Sequence, residues 1–157
     1  MTTSRILQHA LAMKLRTGLG MLLIDYLGIL GAQYGRNPYE RITYISQQLK
    51  QMARILGVPV VVAAQLNRES ATREDKRPQL SDLRDSGAIE QDADVVLMLY
   101  RDSYYDQAAE NDNTVEIIVA KQRQGESNRI VKARFDKKTQ TYFNFTPDEA
   151  IEQEELL

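Results

Sequence analysis

Three short apolar runs constrain the fold of this 157-residue chain more than any other feature. They lie within residues 21–27, 58–64 and 94–100. None of them alternates regularly between apolar and polar residues, which is typical of strands covered on both faces, as in a parallel sheet. The runs therefore predict an α/β domain with parallel strands at its centre.

Segments with other patterns surround these runs. Residues 4–16 carry apolar side chains at three- and four-residue spacing, which predicts an amphipathic helix. A second helix is predicted from Asn37, a favourable cap, to about residue 56. Residues 66–93 are rich in charge and poor in apolar side chains, so we expect a long functional loop with a short helical piece.

The last part of the chain has a more alternating pattern. Short strands are predicted over residues 114–121, 129–135 and 141–145. Their connections have the length of turns, so we expect these strands to be antiparallel to one another. The whole pattern indicates a parallel sheet with helices on both faces and C-terminal antiparallel strands.

Composition excludes several kinds of chemistry. The chain has no cysteine, and His9 is its only histidine, which removes disulfides, thiolate or Cys/His zinc sites and a Ser/His/Asp triad placed mid-chain. A chain without cysteine suits a reducing cytoplasm, where we expect it to act. Its apolar runs are far shorter than the ~20 residues of a membrane span, so no membrane association is expected.

Charge is distributed unevenly along the chain. Residues 1–65 contain seven basic and two acidic side chains, whereas residues 66–157 contain thirteen basic and twenty acidic ones. Neither half has the strong basic bias of a dedicated nucleic-acid binder. Any contact with a polyanion must therefore depend on a few local arginines.

Polar side chains follow two of the apolar runs. Asp25 stands near the end of the first run and Gln65 at the end of the second. Ligands of such sheets bind beyond the carboxyl ends of the strands, so both side chains are expected on one rim. Asp25 suits a magnesium ligand beside phosphates, and Gln65 suits contact with a γ-phosphate or an attacking water. The simpler alternatives are a loop-capping aspartate and a loop-anchoring amide.

Four segments stand in an order that resembles a known family: IDYLGIL, AAQLNRES, DKRPQLSDLRDSGAIEQDADVVLMLYRD and AKQRQGE. They resemble the C-terminal ATPase domain of replicative DNA helicases of the DnaB type. The resemblance covers roughly residues 3–145, and SDLRDSGAIEQDAD is its most specific part. It implies a RecA-like core, a hexameric ring around single-stranded DNA, and ATP hydrolysis at subunit interfaces coupled to translocation. ATP and Mg²⁺ are the implied cofactors, and primase and a helicase loader the implied partners.

The resemblance assigns roles to particular residues. Asp25 matches the Walker B aspartate, which holds Mg²⁺, and Gln65 matches the glutamine that links the nucleotide to the DNA-facing loops. Lys121 and Arg123 match the pair that reaches a neighbouring subunit's γ-phosphate, where a preplaced cation meets developing charge. The alternative for these two cations is a solvated hairpin tip.

The resemblance also implies a DNA-binding loop. Arg84, Asp85 and Gly87 match the segment that holds the DNA backbone, in which a guanidinium and free N–H groups bind and glycine allows close approach. The alternative is that Arg84 forms an ordinary ion pair with Asp82 or Asp85 on a solvated loop.

The chain departs from the family pattern in three places. QGESN follows Arg123 where the family usually has a Gly-Pro turn, so a differently shaped hairpin is expected. Gly28 and Ile29 replace the usual Gln-Leu after Tyr26. No GxxxxGK[ST] motif occurs, so the phosphate-binding loop and the upstream general-base region are missing.

The missing motif has a structural consequence. In RecA-like sheets the strand that precedes the phosphate-binding loop lies between the strands that match residues 58–64 and 94–100. Without it, backbone groups of these two strands lack partners. The two strands must then close up, receive a strand from another chain, or belong to a larger protein. We therefore interpret residues 1–146 as the C-terminal portion of a helicase motor domain and residues 147–157 as an acidic tail. The isolated chain is expected to be inactive.

Two other functions stay open at this point. One is a truncated, non-catalytic module that docks on a helicase ring or binds single-stranded DNA. The other is a RecA-like ATPase with a different task, such as a recombinase-like or clock-type protein, which SDLRDSGAIEQDAD disfavours.

Overall fold

The computed structural model describes residues 1–32, 34–67, 71–83, 86–105 and 113–144. The chain divides into two compact units. The first unit comprises Met1–Arg68 and Leu80–Ala93, and the second comprises Glu69–Gln79 and Asp94–Leu157. The first contains a parallel strand pair with helices and the second an antiparallel sheet, which together give the expected α/β fold with C-terminal antiparallel strands.

Helix α1, Thr3–Thr17, opens the first unit and confirms the helix predicted over residues 4–16. It ends where Gly18 takes a φ of +82°, a conformation that favours glycine, and donates its N–H to the carbonyl of Lys14. Ile6 and Ala10 are buried on its inner face. The ammonium group of Lys14 donates to the carbonyl of Leu56, which joins this helix to the end of the next.

Helix α2, Pro38–Leu56, begins and ends as its sequence predicts. Asn37 caps it: its Oδ1 accepts the N–H of Glu40 at 2.8 Å, and Pro38 occupies the first turn. Gly57 ends it in the left-handed conformation. No helix in the described part of the chain is both long and apolar enough to cross a membrane.

The first two apolar runs form a parallel pair, as predicted. Strand β1, Leu22–Ile24, pairs with β2, Val60–Val62, and Ile24 stands opposite Val62. The helices pack against the face of this pair that carries Leu22 and Ile24 and share one apolar core with it. Leu23 and Val61, on the other face, are 71% and 47% exposed. The core comprises Ile6, Ala10, Ile24, Leu27, Leu30, Ile45, Leu49, Met52 and Leu56.

The charged segment contains the short helix that was predicted within it, α3, Ser86–Asp92. A β-bridge joins Leu66 to Leu83, and the N–H of Asn67 donates to the carbonyl of Asp82 at 2.8 Å. The residues just after Gln65 are thereby held beside the segment that leads into α3.

The second unit is built on a four-stranded antiparallel sheet. Its strands, in spatial order, are β3 (Val95–Tyr100), β4 (Thr114–Gln122), β5 (Arg129–Asp136) and β6 (Thr141–Phe143). The strands predicted after residue 113 are confirmed, and so is their antiparallel pairing.

The third apolar run differs from the first two in the direction of its pairing, while all three leave alternate side chains exposed. It forms β3, which pairs antiparallel with β4 and buries only alternate side chains. Val95, Leu97 and Leu99 are 51%, 55% and 59% exposed. Within the described residues β1 and β2 form a two-stranded sheet, and β3 belongs to a four-stranded sheet with β4, β5 and β6. An apolar run without alternation therefore does not show that both faces of a strand are covered by the described residues. It does not specify the direction of the strand's pairing either.

Arg77 attaches the segment before Leu80 to this sheet. Its guanidinium donates two hydrogen bonds to the carboxylate of Glu116, at 2.7 and 2.9 Å, and lies 5.0 Å from the ring centroid of Tyr100. The bond to Glu116 raises the pKa of Arg77. Burial, together with a hydrogen bond to Asp102, raises the pKa of Tyr100 to about 12, so its hydroxyl stays a donor.

Candidate functional site

Asp25 directly follows β1 at the carboxyl edge of the parallel pair. The hydrogen-bond ladder continues past the strand ends, since Ala63 donates to Ile24 and Leu27 donates to Ala63, both at 2.9 Å. Ile24 and Leu27 are buried, whereas Asp25 is exposed. The backbone on both sides of this carboxylate is therefore fixed while its side chain faces solvent.

Gln65 lies at the same edge, three residues after the end of β2. It is also exposed. Because β1 and β2 are parallel and in register, both side chains emerge where the strands end, on the rim that the sequence indicates. Their chemical roles stay predictions.

Gly28, one of the departures from the family pattern, has a steric role beside Asp25. A Cβ atom at this position would lie 2.7 Å from Cε2 of Tyr26. The ring of Tyr26 therefore occupies the space that any larger residue at position 28 would need.

Of the three predicted DNA-binding residues, Gly87 belongs to the described part of the chain, and Arg84 and Asp85 lie outside it. Gly87 is exposed in the first turn of α3. Its φ is not in the left-handed range, and the hydroxyl of Tyr39 would lie 3.8 Å from a Cβ built there.

Lys121 and Arg123 lie at the end of the β4–β5 hairpin in the second unit. Lys121 is half-buried opposite Val96, and Arg123 is exposed at the start of the turn. The N–H of Arg123 donates to the carbonyl of Asp94 at 2.8 Å, and its Nε lies 3.8 Å from the carboxylate of Asp94. At this exposure such an ion pair is weak, so the guanidinium can exchange it for a stronger anion.

The turn after Arg123 is ordered by its own residues. Ser127 Oγ accepts the N–H of Gln122 at 3.1 Å, and Asn128 takes a φ of +64°. A Cβ at Gly125 would lie 2.7 Å from the side chain of Gln122. This turn fixes the direction in which Arg123 leaves the hairpin without the Gly-Pro pair usual in the family.

The donor set fits Mg²⁺ bound together with a phosphate ligand and does not fit a dedicated metal cage. Among the described residues, no group of three or more His, Cys, Asp or Glu side chains could hold a metal. Magnesium in nucleotide sites commonly takes only one or two carboxylates, and phosphates and waters complete its shell. Asp25 can supply one such ligand.

Two features of the structure were missed in the sequence. Tyr39 lies next to Gly87, and Arg77 binds Glu116 and Tyr100. The eight tyrosines form no stripe along the chain, yet Tyr34 and Tyr44 pack edge to face at 5.4 Å. No signal in the sequence connects these partners, since each pair is brought together by tertiary packing.

A parallel strand pair with an exposed carboxylate at its edge, followed by an antiparallel sheet, places the chain in the class of RecA-like ATPase domains. The family model of the DnaB-like helicase C terminal domain matches residues 1–144, and the chain belongs to this family.

Relatives and solved structures agree with this assignment. The chain is 53% identical over 116 residues to the replicative DNA helicase DnaC of Bacillus subtilis, and 50% identical over 115 residues to the replicative DNA helicase DnaB of Geobacillus stearothermophilus. Each match covers 72% of this chain and 25% of the relative. The chain thus matches about a quarter of the length of these helicases.

Two solved structures share the fold at 40% identity and a TM-score of 0.87, and each match covers 93% of this chain. One is a DnaB-like replicative helicase, solved in a study of its interactions with primase, of which the match covers 35%. The other is the structure of an ATPase domain, of which the match covers 52%.

Proposed function

We propose that residues 1–146 form the C-terminal portion of a helicase motor domain that couples ATP hydrolysis to translocation on single-stranded DNA and duplex unwinding. The observation that carries this proposal is the placement of Asp25 and Gln65 on one edge of a parallel pair, in a chain that matches the family over residues 1–144. The proposed motor works as a ring of six subunits in the cytoplasm. Residues 147–157 form an acidic tail.

Asp25 and Gln65 are the proposed nucleotide-facing residues of one subunit. The carboxylate of Asp25 holds Mg²⁺, which when bound neutralises charge on the triphosphate. The amide of Gln65 contacts the γ-phosphate or orients the attacking water. Two residues further along the chain, the N–H of Asn67 donates to the carbonyl of Asp82, which lies in the segment that leads to α3. A change at the nucleotide can thereby reach the segment that carries Gly87.

Lys121 and Arg123 are the proposed cations that act on a neighbouring subunit's nucleotide. Their placement at a hairpin end supports this role, because a tip can reach beyond its own subunit. Charge that develops on the transferred phosphoryl group is stabilised by a cation already in place, and an arginine finger contributes roughly 10³- to 10⁵-fold to the rate.

The remaining partners follow from the same proposal. Arg84, Asp85 and Gly87 hold the backbone of a single DNA strand, and primase and a helicase loader bind the assembled ring. The extensive family match favours this motor over a truncated docking module.

The 157-residue chain alone is expected to hydrolyse ATP at a negligible rate, because it contains no GxxxxGK[ST] motif to cradle the phosphates. A coupled assay of released phosphate on the purified chain checks this. The expectation is wrong if the chain turns over ATP at about 1 s⁻¹ or faster, within the usual range of enzymes, and Asp25→Ala abolishes that turnover.

Mixed rings of the full-length protein test the proposal more directly. Asp25→Ala and Arg123→Ala are each expected to lower ATP hydrolysis by about 100-fold or more. When the two variants are mixed, some interfaces combine an intact Asp25 with an intact Arg123 from the neighbour, so activity should return to roughly a quarter of the wild-type value, by the random pairing of subunits that closed rings permit. Arg129→Ala, an exposed arginine at the start of β5, serves as the control and should leave hydrolysis unchanged.

Mixing that restores no activity would show that Arg123 acts within its own subunit or not at all. Nucleotide binding by each variant, measured with a fluorescent ATP analogue, separates a loss of chemistry from a loss of affinity. Arg123→Ala should keep nearly full affinity, because the remaining contacts to the nucleotide come from the other subunit.

A further inference from the structure

Tyr39 is an exposed aromatic side chain whose hydroxyl lies beside Gly87. Its residue surface is 54% exposed, and its Oη would stand 3.8 Å from a Cβ at Gly87. Within the part of the chain that the structure describes, this hydroxyl has no hydrogen-bond partner, whereas the Tyr39 carbonyl accepts from Thr43 Oγ1 at 2.9 Å. A hydrogen-bond donor is thus available beside Gly87.

The position of Tyr39 is fixed by the start of α2. Glu40 N–H donates to Asn37 Oδ1 at 2.8 Å, and the Glu40 carboxylate accepts from Asn37 Nδ2 at 3.1 Å and from the N–H of Arg36 at 2.7 Å. These bonds resemble a capping box, with the N–H of Arg36 in place of the N–H of the cap residue Asn37, and they enclose Tyr39 in the first turn. Because the backbone at Tyr39 is already ordered, contact of its hydroxyl with a ligand costs little further backbone entropy.

Packing between helices fixes Gly87 relative to Tyr39. Helices α2 and α3 are in contact, and the buried Ser46 Oγ lies at hydrogen-bond distance, 3.5 Å, from the carbonyl of Ala88. Ala88 itself is buried. Tyr39 and Gly87 therefore belong to one continuous surface on the first unit, although they are far apart in the sequence.

The charges around Tyr39 are compatible with an anionic ligand. Arg36 and Arg41 are exposed, and Arg41 uses its Nε to bind the carbonyl of Gly35 at 3.2 Å. The one acidic residue in this stretch, Glu40, has its carboxylate occupied by the capping box. Residues 36–41 therefore carry two basic side chains and one acidic one, and this positive balance is confined to the start of α2, since α3 carries Glu90 and Asp92.

We propose that Tyr39 is an additional DNA-contact residue, whose hydroxyl donates a hydrogen bond to a backbone phosphate of the single strand that passes over Gly87. This inference rests on the proposed DNA-binding role of residues 84–87. The hydroxyl rather than the ring makes the contact, because Oη is the atom that approaches Gly87. Tyrosine hydroxyls are among the donors that position nucleic-acid backbones without reading sequence.

Binding of a fluorescein-labelled oligothymidylate to the full-length protein tests this contact, with fluorescence anisotropy as the readout over a range of salt concentrations. Tyr39→Phe removes only the hydroxyl and is expected to raise Kd by roughly five- to tenfold, as for loss of a hydrogen bond to a charged group near solvent. The slope of log Kd against log salt should stay unchanged, because a neutral donor releases no counterion. Tyr34→Phe is the matched control, since Tyr34 is exposed but packs on Tyr44, and it should bind as the wild type does.

A second variant separates failure of this contact from failure of the proposed function. Arg84→Ala should weaken binding and lower the salt slope by about one counterion, as expected for one lost phosphate contact. If Arg84→Ala has no effect, the DNA-binding role of this loop is wrong. If Arg84→Ala behaves as expected and Tyr39→Phe binds normally, the loop binds DNA without Tyr39, and the inference alone is overturned.

The oligonucleotide chemistry distinguishes a phosphate contact from stacking. With abasic residues in place of the bases, Tyr39→Phe should lose affinity by the same factor, because the phosphates remain. If only Tyr39→Ala weakens binding, and this loss disappears on the abasic strand, the ring stacks on a base and the proposed hydrogen bond is wrong. Equal far-UV circular dichroism spectra confirm that the exposed substitution leaves the fold intact.

Discussion

The two units of the chain are stabilised in different ways. In the first unit, two long helices and a parallel pair bury one apolar core, within which Met52 and Leu56 are almost fully buried. In the second unit, the described residues form long antiparallel ladders, with polar and cation–aromatic contacts at Arg77, Arg101 and Arg134. The first depends mainly on burial and the second on strand pairing and directional side-chain contacts.

This difference matches the kind of site that each unit offers. An apolar core beneath a parallel pair fixes the strand ends, so that Asp25 and Gln65 are presented from a rigid edge. Arg123 lies exposed at the turn of the β4–β5 hairpin, and Lys121 lies within the ladder opposite Val96, so of the two Arg123 is the better placed for the proposed target outside its own subunit. In the proposed function, the first unit holds a nucleotide and the hairpin contacts a neighbour's.

The largest effect on stability is expected from Met52→Ala in the first unit. Met52 is 2% exposed in the core, so its truncation removes buried apolar surface and leaves a cavity, at a cost of about 3 kcal/mol in the free energy of unfolding. Ile55→Ala on the same helix, at a side chain 47% exposed, should cost less than about 1 kcal/mol. Denaturant titration of both variants checks the contrast, and equal losses would contradict a core centred on Met52.

A smaller loss in the free energy of unfolding is expected from Arg77→Ala in the second unit. The Glu116 side chain is only 14% exposed, so it would keep a poorly solvated carboxylate without its bidentate partner. Because Arg77 itself is 45% exposed, solvent screens part of the interaction, and a loss of about 1–2 kcal/mol is expected.

Arg77→Lys sharpens this test, because it keeps the positive charge but cannot form two parallel hydrogen bonds. In denaturant titration, the free energy of unfolding of Arg77→Lys should lie between those of Arg77→Ala and the wild type. If Arg77→Ala is as stable as the wild type, the second unit does not depend on this contact, and the contrast between the units is weaker than we infer.

Much of the fold could be predicted because its signals are local. Asn37 and Gly57 mark the ends of α2, and continuous apolar runs mark β1 and β2. The third run predicted a strand correctly, but it did not reveal the antiparallel partner or the exposed face of Leu97, since both depend on which elements are present to cover it.

The candidate site was predictable to a different extent in each unit. The ends of apolar strands indicate Asp25 and Gln65 from physical reasoning alone, because parallel strands end on a common edge. Lys121 and Arg123 were identified only through resemblance, since a short alternating strand with cations is ordinary at a surface. Tyr39 and Gly87 lie far apart in the sequence, so no local pattern could join them.

The smallest effect is expected at the β5–β6 turn, where Asp136 accepts the N–H of Lys138 at 2.8 Å and the hydroxyl of Thr139 at 2.9 Å. The backbone bond from Lys138, followed by the Thr139 hydroxyl, lowers the pKa of Asp136. A lowered pKa in the folded state means that the ionised carboxylate stabilises the turn above its unfolded pKa of about 3.9, and that this contribution is lost as the pH falls through the folded pKa. Asp136→Ala should therefore lower the melting temperature slightly at pH 7, and this difference from the wild type should shrink toward pH 3. Asp136→Asn keeps a hydrogen-bond acceptor but does not titrate, so it should lower the melting temperature less at pH 7. If the difference in melting temperature does not depend on pH, the effect comes from the geometry of the turn and not from charge. The stability of the second unit would then come from its strand ladders rather than from charged contacts in its turns.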